Sequence, residues 1–312
     1  MALALDTLRR FLDNSDQPAT WDEQAETHLL KEGMLELALR QTGQKERFLQ
    51  SVAREYRWRE LLAELDEALA GWGCHALVFK GGAALGHLYP SSGLRPISDL
   101  DLLGEPDLPE RLTRLGFRAV AEEPWIMHRG AFQLDLHQHP LGRQRFAFCW
   151  DLARAIQCSL PLSQHRGLFR FSLEDETVVA LIHAGKHAYS RYIWLADIHL
   201  LLQRCCPERL GQVLREARAE RYLVYAVWLL QSIRGGRLPK LKHLEKRALD
   251  LCLRRQASES LGMLLPLLSS NSFPRSARYL WHSLKPQQEA SWRQRLGKLW
   301  HLVRTFRHSS NP

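Results

Sequence analysis

At 312 residues the chain is long enough to bury a substantial core, and 45% hydrophobic with 25% charged residues is the balance of a folded protein rather than a disordered one. Its formal net charge of +9 points to an anionic partner, and nucleoside triphosphate, nucleic acid, anionic lipid and acidic polysaccharide all qualify. No apolar run approaches the ~20 residues that span a bilayer, the start Met1–Asp6 carries no basic segment ahead of a long apolar run, and the six cysteines show no CxxC spacing; a reducing, cytoplasmic setting is expected.

Residues 1–70 read as helices, with Leu8 and Leu12, then Leu29, Leu30 and Met34, then Leu61, Leu62, Leu65 and Leu69 at helical spacing, and a break across Asn14–Thr20. Gly71-Trp72-Gly73 closes the last of them. The apolar run Ala76-Leu77-Val78-Phe79 predicts a buried strand that turns at Lys80-Gly81-Gly82 into a helix over Ala83–Tyr89. Two glycines at such a corner let backbone N–H groups approach an anion. Arg95–Leu103 reads as a strand, so Asp99 and Asp101 share one face about 7 Å apart.

Asp107 and Pro109 open a helix that ends near Leu115-Gly116. Ile126–His128, a two-residue turn at Arg129-Gly130 and Phe132–His137 predict a hairpin whose second strand carries Asp135, and Pro140 and Gly142 end the sheet. From Asp151 to about Arg234 the pattern is helical, with Ser172 and Asp175 as an N-terminal capping pair. Gly235-Gly236 with Pro239 marks a hinge, and the remainder is helical and basic with breaks at Pro266 and Pro274. The expected class is α+β, a small mixed β-sheet embedded in a mostly helical chain, with a helical region over 1–70, a core over 71–148 and a helical region over 149–312.

Asp is disfavoured in strands, and paired carboxylates repel unless a cation sits between them. Asp99, Asp101 and Asp135 therefore suggest hard oxygen ligands for Mg²⁺ or Mn²⁺. Lys80 at the strand end either reaches a phosphate or neutralises the aspartates. Arg95, held extended by Pro96, is expected at the mouth of the site, where its guanidinium suits phosphate, and Ser98 is expected to hydrogen-bond behind the ligands. His137 shares the strand face of Asp135 and lines the site or orients an acceptor; with His139 it also forms an HxH pair of the kind found in metal hydrolases. His183 and His187, one helical turn apart, either bind zinc, face the cleft together with Lys186, or are ordinary core or surface histidines, and Asp197 is a candidate partner for one of these cations. The basic, apolar stretch Trp292–Arg307 either lies on an anionic membrane or packs its apolar face on the protein.

The series Lys80-Gly81-Gly82, Arg95-x-x-Ser98-Asp99-x-Asp101-Leu102-Leu103 and Leu134-Asp135-Leu136-His137 resembles the polymerase-beta-type nucleotidyltransferase superfamily, in particular its uncharacterised bacterial branch. The resemblance covers residues 71–140 and, more loosely, 183–202. It implies that Asp99, Asp101 and Asp135 bind the metals and that Gly81 and Gly82 hold a triphosphate, with ATP the expected nucleotide. Well-known members carry Gly-Ser at the corner; here Gly82 and Ala83 follow Gly81, which leaves the missing hydroxyl's part to Lys80 or Arg95. The implied activity is metal-dependent transfer of NMP from an NTP to an acceptor hydroxyl, the acceptor being open, with nucleic acid among the candidates. Two other readings stand beside it: a non-catalytic nucleotide- or partner-binding protein on the same fold, and the nucleotidylating component of a toxin–antitoxin pair.

Overall fold

The computed structural model describes residues 2–15, 21–254, 259–269 and 273–284. The chain divides into two compact units, one comprising Met1–Gly142, Asp151–Ala180 and Arg191–Val213, the other Arg143–Trp150, Leu181–Ser190 and Leu214–Pro312. No helix among the described residues is long and apolar enough to cross a membrane. None of the six cysteines is in a disulfide.

The first unit opens with helices Ala2–Leu12, Glu23–Glu32, Leu35–Gln41 and Lys45–Gly71. Asp22 caps the second by accepting from the Ala25 amide, and Gly33 closes it at φ 69. The 27-residue helix Lys45–Gly71 turns Trp58, Leu61, Leu62, Leu65 and Leu69 onto one face of a sheet. That sheet has seven strands: β1 (Ala76–Phe79), β2 (Leu100–Gly104), β3 (Arg118–Ala119), β4 (Ile126–Arg129), β5 (Phe132–His137), β6 (Leu160–Pro161) and β7 (Leu168–Arg170). Their order is β3-β4-β5-β2-β1-β7-β6. β2 runs antiparallel to β1 and parallel to β5, and β7 runs parallel to β1.

Alternation along these strands divides the sheet chemically. Val78, Leu100, Leu102, Leu134, Leu136 and Leu168 enter the core shared with the long helix. The residues between them, among them Phe79, Asp101, Asp135 and His137, fall on the opposite face. Asp66, buried on the long helix, fixes β7 by accepting from the Gly167 amide at 2.7 Å and from the Leu168 amide. The approach is close enough that only glycine fits at 167, since a Cβ there would lie 2.1 Å from the Asp66 carbonyl oxygen.

Several expected boundaries move. The helix after the corner is Gly81–Ala84, not Ala83–Tyr89, because Leu85 leaves helical geometry at ψ 127. β2 begins at Leu100 rather than near Arg95: Pro96 has no amide to give a ladder, and its carbonyl accepts from the Arg95 guanidinium. The hairpin loop is Gly130-Ala131, with Gly130 at φ 58 and Arg129 paired to Phe132. The sheet does not end at Pro140 and Gly142, since β7 and β6 extend it from within a stretch read as helical; three and two residues are too few to show a period. Ser172 does cap the helix Leu173–Lys186, its Oγ accepting from the Asp175 amide.

In the second unit, helices Glu220–Arg234 and His243–Leu253 pack together, the first closed by Gly235 at φ 74. Glu245 is buried there and accepts from the Tyr225 hydroxyl and the Lys242 amide, both at 2.8 Å, and from Arg221. Pro266 does not break the chain as expected but lies inside the helix Glu259–Ser269, whereas Pro274 is in the first turn of Phe273–Leu284. The basic stretch 292–307 lies outside the described residues.

Candidate active site

β2 and β5 pair in parallel with Asp101 opposite Asp135 and Leu103 opposite His137. Leucines on either side of each aspartate are drawn into the core, so the pleat forces both carboxylates onto the opposite face, next to each other. On the other side of β2, Phe79 is the register partner of Asp101, and Lys80 follows it directly.

His137 Nε2 lies 2.7 Å from Asp101 Oδ1 and 3.2 Å from Asp135 Oδ2, and Lys80 Nζ donates to the same Asp101 oxygen. The His137 ring also meets the Phe79 ring edge-on at 5.1 Å. Asp101 is buried, whereas the Asp135 side chain is 33% exposed. Burial pushes the Asp101 carboxyl up, but the His137 hydrogen bond and the Lys80 charge outweigh it and hold the group below the ordinary carboxylate range. Burial likewise opposes charge on His137, and the hydrogen bonds to Asp101 and Asp135 raise its pKa above the ordinary value. Two carboxylates thus face one ammonium and one imidazole that is readily protonated.

The oxygen and nitrogen donors of Asp101, Asp135 and His137 lie within 4.8 Å of one another, and this group could hold a metal ion. Two carboxylates suit Mg²⁺ or Mn²⁺, and the imidazole favours the more tolerant of the two, Mn²⁺. Asp99 stands outside the group, one residue before β2 and half-buried, with the exposed Ser98 donating to its Oδ1 at 2.7 Å. Neither His139, whose Nδ1 accepts from the Leu141 amide, nor the pair His183 and His187, rings 4.8 Å apart, enters a metal-holding group among the described residues.

The corner itself is tightly fitted. Lys80 takes φ 56, which a non-glycine residue adopts only where its surroundings hold it there. A Cβ on Gly82 would lie 2.7 Å from Leu100 Cδ2 and 2.8 Å from Val78 Cγ1, so packing alone demands glycine; one on Gly81 would meet the Arg95 guanidinium at 3.4 Å. Arg95 is therefore against the corner but is not at an open mouth. It binds Asp197 bidentately, Nε to Oδ1 and Nη2 to Oδ2 at 2.9 Å each, and Tyr89 donates to the same carboxylate at 2.6 Å. Burial opposes the Arg95 charge, but Asp197 more than offsets it and raises the pKa further. Asp197, expected to pair with a cation of the His183–His187 stretch, instead pairs with Arg95. No local pattern announces this contact. The place of His137 on the strand face of Asp135, by contrast, follows from the spacing Asp135-x-His137.

A family model described as uncharacterised nucleotidyltransferase matches residues 26–235. No curated protein and no solved structure matches the chain.

Proposed function

Because the chain belongs to this family of uncharacterised nucleotidyltransferases, we propose that it moves a nucleoside monophosphate from an NTP, with ATP the first candidate, to an acceptor hydroxyl. The observation that carries the reading is the register of β2 and β5, which sets Asp101 beside Asp135 on the sheet face opposite the long helix. The acceptor oxygen attacks the α-phosphorus, the new P–O bond forms as the α–β bridging bond breaks, and pyrophosphate leaves. Asp135, the more exposed carboxylate, takes the hydroxyl proton. Lys80 exchanges its contact with Asp101 for one with the phosphates. Asp101 and Asp135, with Asp99 and His137 beside them, would hold a divalent cation, Mg²⁺ or Mn²⁺, which when bound supplies positive charge at the phosphoryl oxygens.

Asp101→Asn and Asp135→Asn are expected to fold as the wild type does and to lose label transfer from α-labelled NTP to any acceptor by a factor of about 10² or more. Full transfer by either variant would remove the mechanism. One observation favours a second reading, a nucleotide-binding protein without transfer: Lys80 already occupies Asp101. NTP binding by the wild type without labelled product or pyrophosphate release would support it.

A further inference from the structure

A cavity of about 550 Å³ opens on the sheet face that carries the carboxylates. Its floor is Leu77, Leu103 and Phe169, and these are register partners: Leu77 faces Leu103 on one side and Phe169 on the other. Leu103 follows Asp101 by two residues on β2, so it lies on the same face about 7 Å away. It is also the register partner of His137, and Gln138, the next residue, lines the cavity. Leu152 and Ile156 of the helix Leu152–Gln157 form a wall.

The position of this cavity relative to the reacting centre is informative. The glycine corner lies at the carboxyl end of β1, and the cavity is lined by Ala76 and Leu77 at its amino end, with Asp101 between them along the sheet. Phosphoryl displacement keeps the entering and leaving oxygens roughly in line. With pyrophosphate departing toward Gly81 and Gly82, the attacking hydroxyl enters from the cavity side.

We infer that the cavity is the acceptor subsite, and that the acceptor is a small molecule bearing its hydroxyl on an apolar, ring-sized body. This rests on the transfer reading above. The volume suits a ligand of that size. Despite the net charge of +9, no Lys or Arg among the described residues lines the cavity, and Glu105 places a carboxylate at it, which disfavours RNA and anionic sugars. The floor of Leu77, Leu103 and Phe169 suits an apolar body, while His75, Gln138 and Ser159, which also line the cavity, can pair with its hydroxyl.

The test uses the full chain in two assays. N-phenylnaphthylamine, a neutral apolar fluorophore, is titrated into the wild type, Ile156→Trp and Leu152→Trp. In parallel, α-labelled ATP with Mg²⁺ is offered naphthol, an aldose, tRNA and a peptide. Ile156 is 46% exposed, so a larger side chain there narrows the cavity without disturbing the core. The expected result is saturable binding of one probe per chain, weakened about tenfold or more in Ile156→Trp, with labelled naphthol lost and ATP affinity unchanged in that variant. Absence of saturable probe binding, or binding that neither tryptophan weakens, would overturn the cavity. Nucleotide binding with label passing only to tRNA, sugar or peptide would overturn the acceptor class alone. A wild type that binds no nucleotide would instead overturn the transfer reading and the acceptor assignment with it.

Discussion

Arg95 and Asp197 show how a single residue's part depends on contacts that no local pattern contains. Both are charged, both are largely buried with side chains 10% and 13% exposed, and they are 102 residues apart. Removing one partner of such a pair strands a desolvated charge. Asp197→Ala is expected to lower stability by about 3–5 kcal/mol in denaturant unfolding, and Arg95→Met with Asp197→Leu to recover much of the loss. Equal losses in the single and double variants would contradict this account. Asp101 and Asp135 differ, because alternation gives each a defined face of its own strand and the parallel register of β2 and β5 then sets the two side by side. What spacing could not disclose is that Asp99 falls just outside β2 while His137 reaches both carboxylates.

At the scale of elements, long or strongly patterned segments were legible. The N-terminal helices, β1, the hairpin of β4 and β5 and the capped helix at Ser172 follow from helical spacing, alternation and capping chemistry. The strands β6 and β7 were not, since their identity comes from pairing with β1 and from Asp66 rather than from their own residues. Gly167 is the joint in that arrangement. Gly167→Ala drives a methyl group into the Asp66 carbonyl and is expected to destabilise the first unit by about 1–3 kcal/mol, measured by thermal or denaturant unfolding. Gly130→Ala, where nothing lies within 4 Å of a Cβ, meets only the positive φ and should lose less. A ranking in the other direction would contradict the packing argument.

For the molecule as a whole, the pattern of strands and helices gave the α+β class, but the two units each gather three separated stretches of chain. Long-range association of that kind leaves no periodic trace in sequence. In the second unit burial pushes the Glu245 carboxyl up, yet the Lys242 amide, the Tyr225 hydroxyl and Arg221 outweigh it and depress the pKa. The folded state then binds the Glu245 proton less readily than the unfolded state. The stabilisation is complete above the ordinary carboxylate value of 4.5 and disappears as pH falls through the depressed one. Glu245→Gln is therefore expected to narrow the gap in unfolding midpoint between neutral and acidic pH; an unchanged gap would contradict that assignment.

The central claim is that Asp101 and Asp135 form a nucleotide- and metal-dependent site. Calorimetric titration of each NTP into the full chain with Mg²⁺, with EDTA and into Asp101→Ala tests it most directly. The account predicts saturable binding of at least one NTP with Mg²⁺, lost with EDTA and lost in the variant. Binding of equal strength in Asp101→Ala, or none to the folded wild type under any condition, would contradict it.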